Sequence, residues 1–460
     1  MEKIKAFLLK QWNRIRNNSF IKSILTLSAG VVVSQSIALI TTPIVSRIYD
    51  PEVLGDFSII TSDASIIGVF VCLGLMTAIM VPKEDDEAKG LCRLITGSII
   101  GLTTLLLLTA VAVSGKWQLF SVNLDYRIAC LILWLYVVLT NISSVCYAYV
   151  NRQKMYKVLF WNPTIGTVAN ATVSIVLGLL GCGLWGYACG NLLALVLNIV
   201  HMLRHVNPYK GKIGSEYGAG RLLKKHKDFP LYQLPANFVG TISQQLPVQL
   251  IKKFFGSAIL GSYSMCLTIL GIPSRFLSAP VNRVYYQEAT SRYNRGEDIG
   301  EFSYKILETN IRIAIIPISI LIVFGKPLFT FVLGEKWMQA GSFAAILGIY
   351  QLVLFCSTCL SGNYVIIGKQ KLNLIFSIAN ILLNLFAFYF GYFYFGNIFS
   401  TLILFSIAGT IYKLTDIGLF LYYTGVRVSN FLKFVGFYIL VPAILSTLIR
   451  LGLILLGCNL

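Results

Sequence analysis

Val45-Ser46-Arg47-Ile48-Tyr49, then Val53-Leu54-Gly55-Asp56-Phe57-Ser58, has a counterpart 206 residues later. It is Ile251-Lys252-Lys253-Phe254-Phe255, then Ile259-Leu260-Gly261-Ser262-Tyr263-Ser264. Each stretch is a short polar break between long apolar runs, and so reads as the tip of a helical hairpin. The same offset carries Arg47 onto Lys253. A second match, Asn151-Arg152-Gln153-Lys154-Met155 with Gly368-Lys369-Gln370-Lys371-Leu372, lies 217 residues apart. The longer spacing fits the extended stretch 283–305 of the second half. Two units of similar layout follow one another in the chain.

Composition says what those units are. Hydrophobic residues make up 56% of the 460 and charged residues 12%, where a soluble domain carries about 25% charge. Mean hydropathy is +0.74. So much apolar surface exceeds what one core can bury and must face lipid. A bilayer core needs about 20 apolar residues per helix. At that length the spans fall at 22–46, 57–82, 91–114, 126–150, 158–180 and 184–203 in the first half. The second half gives 231–252, 257–282, 306–333, 339–364, 372–395 and 398–423, and a thirteenth lies at 431–457. The predicted fold is an all-α integral membrane protein of 12–13 transmembrane helices.

The net charge of +19 is a topology signal rather than a nucleic-acid footprint, because it lies in short clusters between spans. With the N-terminus in the cytoplasm, 27 of the 38 Lys and Arg fall in internal segments and seven in external ones. Each half then has an even number of spans, so both share one orientation. This predicts two parallel six-helix bundles related by a pseudo-twofold axis along the membrane normal. The divisions are a basic amphipathic N-terminus (1–21), a first bundle (22–203), a basic linker (204–230), a second bundle (231–424) and an extra helix (425–460).

The stretch Gly30 to Ser58, with Gln35, Pro43, Ser46-Arg47, Asp50-Pro51-Glu52 and Leu54-Gly55-Asp56-Phe57, resembles the opening hairpin of Wzx-type polysaccharide and O-antigen flippases. These belong to the multidrug/oligosaccharidyl-lipid/polysaccharide (MOP) exporter superfamily. The resemblance implies a MATE-like fold in the bacterial inner membrane. It further implies export of an undecaprenyl-pyrophosphate-linked oligosaccharide by alternating access, for O-antigen, capsule or exopolysaccharide synthesis. Membrane lipids, a coupling H+ or Na+ and other glycan-assembly proteins are the expected partners, and nucleic acid is not.

Moving a pyrophosphate past hydrocarbon demands a hydrated, basic passage, since uncovered charge there is costly. Charged residues within spans are therefore the candidates. Arg275 sits among Gly271, Pro273 and Ser274, which loosen its helix. Arg312 lies nearer the cytoplasmic end and either contacts substrate or snorkels to the interface. Lys413 and Asp416 are three apart, so they either pair or divide, Lys413 toward phosphate and Asp416 toward ion coupling. Asp63 suits ion coupling, with a local pair to Arg47 as the competing account. Arg47 and Lys253 either line an exit gate or anchor in headgroups. Among uncharged residues, Gln35, Gln244 and Gln245 are the foremost candidates for sugar contacts. Asn162, Asn170, Asn380 and Asn384 share that chemistry, with helix–helix hydrogen bonding as the plainer reading.

Other classes fit less well. A multidrug cation antiporter of the same fold wants carboxylates in its passage, and these spans hold more Arg and Lys. A membrane enzyme of glycan assembly, or a structural scaffold, is the remaining alternative. The external loops are short, and no nucleophile–base constellation or phosphate-binding glycine loop occurs. His201, His205 and His226 are badly spaced for a metal, and Cys356 and Cys359 sit inside an apolar run. Neither a cofactor nor a metal is expected.

Overall fold

The computed structural model describes residues 19–113, 126–211, 214, 217–360 and 362–455, and among these it is helical without strands. Most of the expected N-terminal surface helix lies outside the described residues. The first half comprises α1 (Ser19–Ile48), α2 (Pro51–Val71), α3 (Asp85–Val113), α4 (Tyr126–Arg152), α5 (Tyr156–Leu179) and α6 (Gly183–His205). A linker helix, Ala219–Lys225, leads to the second half. There follow α7 (Leu234–Phe255), α8 (Ser257–Leu270), α9 (Ala279–Asn294), α10 (Gly300–Leu333), α11 (Met338–Cys359), α12 (Gln370–Phe390) and α13 (Ile398–Tyr423). The chain closes with α14 (Val428–Val435) and α15 (Val441–Leu455).

Packing repeats between the halves. In the first, α1 lies on α5, α2 on α4, α3 on α4, α4 on α6 and α5 on α6. In the second, α7 lies on α12, α8 on α11, α10 on α11, α11 on α13 and α12 on α13. These five pairings correspond one to one between the halves, as a parallel duplication requires. The hairpin tips mark one end of the molecule, here the tip end. The loops rich in Lys and Arg mark the opposite, basic end.

The tips cross each other. Asp50-Pro51 and Gly256-Ser257 start the second helix of each hairpin. Proline suits a first helical turn, and Gly256 takes a positive φ of 87° to turn the chain. A Cβ on Gly55 would strike the Ser257 carbonyl, and one on Gly261 would strike the Pro51 carbonyl. Gly55 and Gly261 are the repeat-related glycines, and Pro51 and Ser257 are related by the same offset. The duplicated motif is therefore self-complementary: each copy's glycine admits the other copy's backbone. Around this crossing, Tyr49, Leu54 and Ile59 of the first half share one core with Leu250, Ile251, Leu260, Tyr263 and Trp337 of the second.

Ten described helices are long and apolar enough to cross a membrane. The difference from the expected count has physical causes. Helices α5 and α7 have the length but carry polar residues such as Asn162, Asn170, Asn237, Gln244 and Gln245. The expected eighth span stops at Leu270 and resumes beyond Gly271 and Pro273 through a wide turn, Ser274–Ser278. It then continues as α9 to Asn294, so much of the stretch expected as a long loop is helix. Wide turns at Phe229–Gln233, Ser274–Ser278 and Gly436–Leu440 each end two residues before a proline: Pro235, Pro280 and Pro442. Proline lacks the N–H that would close a regular turn, and a wider turn absorbs the mismatch. The thirteenth span passes Pro442 this way. Its Phe434 and Ile439 enter a core of the second half that also holds Tyr285, Leu307, Ile311 and Cys356.

Gly55→Val and Gly261→Val should each destabilise the protein by about 1–3 kcal/mol, as overpacking does, and to similar extents. Gly97→Ala, where a Cβ meets nothing, should be neutral. Thermal unfolding in detergent checks this, and harmless valines at both tips would contradict the crossing.

Candidate functional site

The two seams between the halves differ. On one side α2 packs along α7, with Phe70 against Phe238 at 4.6 Å between ring centroids. On the other, α1 and α8 hardly touch, and α1 meets instead the turn Ser274–Ser278, α9 and α10. Where α1 meets the broken part of the eighth span, a cavity of about 40 Å³ remains, with room for a few waters. Gln35 and Thr42 of α1 line it, with Thr268, Arg275 and Phe276 opposite. The structure thus brings together Gln35 and Arg275, residues 240 positions apart. The break at Gly271–Pro273 interrupts the helical hydrogen-bond ladder, and Arg275 Nη2 donates to the Thr268 carbonyl. This contact holds the guanidinium at the cavity while its side chain stays exposed.

At the tip end the halves are tied by polar bonds, some within the shared core and some exposed at its rim. Lys252 Nζ donates to Asp56 Oδ1 at 2.7 Å, with both side chains under 10% exposed. Ser257 Oγ donates to the same oxygen at 2.5 Å and also meets Lys252 Nζ. Trp337 Nε1 donates to the Ser46 carbonyl at 2.7 Å, and Ser46 Oγ to the Leu333 carbonyl at 3.1 Å. Lys336 pairs with Asp50 at 2.9 Å. Arg47 Nη2 donates to the Phe331 carbonyl at 3.3 Å. Arg47 thus joins the halves at the tips, whereas Lys253 is exposed and rests near the Phe254 ring. The lysine that closes the seam is its neighbour Lys252, which motif matching alone passes over.

Asp63 bridges the packed seam. Gln249 Nε2 of α7 donates to Asp63 Oδ1 at 2.6 Å and to Ser62 Oγ at 3.1 Å. Its partner is therefore an amide on the other half, not Arg47. Gln249 is a functional candidate that the sequence does not single out; one turn from Gln245 on the same helix, it carries the same side chain.

Other candidates fall elsewhere. Arg312 pairs with Glu308 at 2.6 Å and donates to Tyr438 Oη at 2.9 Å, while that hydroxyl donates to Glu308 at 2.8 Å. This network fastens the thirteenth span to α10, away from the α1–α8 cavity. Lys413 and Asp416 face each other at 3.7 Å, so the pairing account describes them. Gln244 is exposed and Gln245 half-buried on α7. Asn380 and Asn384 donate to Ser243 Oγ and to the Ser243 carbonyl, joining α12 to α7. Asn170 meets Asn191 and Ser174, and Asn162 meets His201 at 3.4 Å. His226 lies at 2.9 Å from Glu87, joining the linker to α3. Cys356 and Cys359 are buried packing residues.

Two like-oriented helical bundles, tied at the tip end, make this a multi-pass helical membrane protein of two parallel repeats. Solved structures agree on the fold. An inward-facing multidrug-resistance transporter of the MATE family in the MOP superfamily has a TM-score of 0.62 at 15% identity, covering 88% of this chain and 99% of that one. An outward-facing MATE transporter gives 0.53 at 14%, covering 90% and 96%. A MOP transporter from Pyrococcus furiosus, described for the reverse polarity of its binding pocket, gives 0.53 at 15%, covering 89% and 96%. A comparison with curated protein sequences finds no match. The chain belongs to the polysaccharide biosynthesis protein family, which matches residues 44–342. That membership agrees with the resemblance carried by the opening hairpin.

Lys252→Met leaves Asp56 charged in an apolar core, which should cost about 3–5 kcal/mol. The double variant with Asp56→Asn should recover most of it, and Lys253→Met should cost little. A double-mutant cycle by thermal unfolding checks this; equal costs at Lys252 and Lys253 would contradict the assignment.

Proposed function

We propose that this protein is a transporter that flips an undecaprenyl-pyrophosphate-linked oligosaccharide across the bacterial inner membrane, from the cytoplasmic to the periplasmic leaflet. The observation carrying the reading is the contrast between a tip end tied by polar bonds and sparse contact between α1 and α8, which leaves a small cavity lined by Gln35 and Arg275. In this reading the basic end faces the cytoplasm, as the distribution of Lys and Arg favours. The headgroup enters there, and Arg275 meets the pyrophosphate with its planar fork of donors. The polyprenyl tail stays in lipid outside the seam. Gln35, across the cavity, hydrogen-bonds the headgroup.

Export requires the tip bonds to open while the basic end closes, so Asp56–Lys252 and Asp50–Lys336 form the periplasmic gate. Asp63 is placed to couple this movement to an ion. A proton or Na+ bound at its carboxylate competes with the Gln249 amide that ties it to the other half. The spans' own cations favour an anionic cargo: Lys413 neutralises Asp416, and Arg275, among the described residues, bonds a carbonyl and no carboxylate. A cationic drug finds less to hold it.

Arg275→Ala should lower glycan export about 10–100-fold, the range for losing a hydrogen-bonded charge contact, with normal protein level in the membrane. Arg312→Ala should leave export near normal. Surface glycan in a flippase-deficient strain is the readout, and full complementation by Arg275→Ala would reject the reading.

A further inference from the structure

A larger cavity, about 300 Å³, opens between α2 and α4 and reaches α7 of the second half. Its polar lining comes from Thr61 and Ser65 of α2, Thr140, Asn141 and Ser144 of α4, and Asn237 of α7. All are hydroxyls or carboxamides, and among the described residues no charged side chain lines it. At about 1.5 Å of rise per residue, these positions lie roughly 15–27 Å along their helices from the tip end. Gln35 and Arg275 lie at similar depth.

The lining is held ready. Ser65 is exposed into this space, with its hydroxyl bonded back to the Thr61 carbonyl at 2.8 Å. Ser144 is likewise exposed and bonds back to the Thr140 carbonyl at 3.0 Å. Such hydroxyls keep their lone pairs free to accept from a ligand. The Asn141 amide is fixed by donation to the Val137 carbonyl at 2.8 Å and faces Gly68, which leaves it room. This is the lining that a sugar ring needs: many weak donors and acceptors at fixed places, with apolar surface from Ala64, Val69 and Met76 between them.

We infer that this cavity seats the sugar nearest the pyrophosphate, and that it selects uncharged sugars over acidic ones. The inference rests on the flippase reading above and adds where the glycan lies and what its chemistry is. A sugar's hydroxyl and N-acetyl groups exchange water for the Ser, Thr and Asn partners at little cost. A uronic acid's carboxylate finds no cation there, and burying it unpaired is costly. Asp63 of α2 is acidic and bonded to an uncharged amide, and adds repulsion. The two cavities divide the substrate: charge beside Arg275, sugar between α2, α4 and α7.

The test uses the full-length protein in proteoliposomes and three fluorescent short-chain polyprenyl pyrophosphates. One carries no sugar, one N-acetylglucosamine and one glucuronic acid. The wild type should bind the N-acetylglucosamine lipid about tenfold more tightly than either other lipid. The double variant Ser65→Val with Ser144→Val removes hydroxyls that bond only within their own helix turns, so folding should survive. It should cancel the tenfold gain and leave the sugar-free lipid unchanged. Asn141→Leu should act likewise, with thermal unfolding as the control for its packing role. Equal binding of the neutral and acidic lipids by wild type overturns the selectivity. Unchanged N-acetylglucosamine binding in the double variant overturns the site. Failure of the sugar-free lipid to bind wild type at all sinks instead the flippase reading beneath it.

Discussion

The buried Asp56–Lys252 pair, set where two glycines let the hairpin tips cross, is the constraint on which the molecule's state depends. An ion pair in an apolar core contributes little net stability, because desolvation offsets attraction. It does impose geometry. Lys252 must reach a carboxylate on the other half, so both tips are held in one register while the pair is intact. The glycines make that reach possible by bringing backbone against backbone. The core around the pair keeps water away from it, so the lock is either made or broken. A transporter needs such a two-state element at one end of its seam.

The duplication explains the symmetry of that lock and also its limits. Crossing is reciprocal at Gly55 and Gly261, but the charges are not: Asp56 corresponds to Ser262, and Lys252 to Ser46. One pair of repeat-related positions carries the acid–base bond, while the other carries Ser46, which meets the Leu333 carbonyl. The seams diverge in the same manner. The Asp63–Gln249 bond lies on the α2–α7 side, and the positions related to it by the offset are Ile269 and Pro43. Divergence between the copies has left one seam fastened by polar bonds and the other loose around Arg275.

Most of the spans were legible because hydrocarbon thickness is written in residue type and length. The repeat was legible in a few loop letters. What escaped lies in helix phase and in distant contacts. Adjacent helical residues point about 100° apart, so Lys252 turns inward and Lys253 outward, though the repeat aligns Arg47 with the latter. Gln249 reads as one more amide until its partner on α2 is known. For Arg312, Glu308 four residues before is a local signal, while Tyr438 is 126 residues away. The break at Gly271–Pro273 was visible, yet its effect on span length was not, since membrane helices tolerate both residues when freed carbonyls find partners. Arg275 is such a partner.

The central claim is reciprocal motion of two rigid halves about a tip lock. Paired spin labels test it most directly, one pair at Leu180 and Phe331 near the tips and the other at the repeat-related Lys154 and Lys371 at the basic end. On adding a polyprenyl-pyrophosphate-linked sugar to the protein in nanodiscs, the tip distance should lengthen as the basic-end distance shortens. Two distances that stay fixed, or that lengthen together, would contradict it.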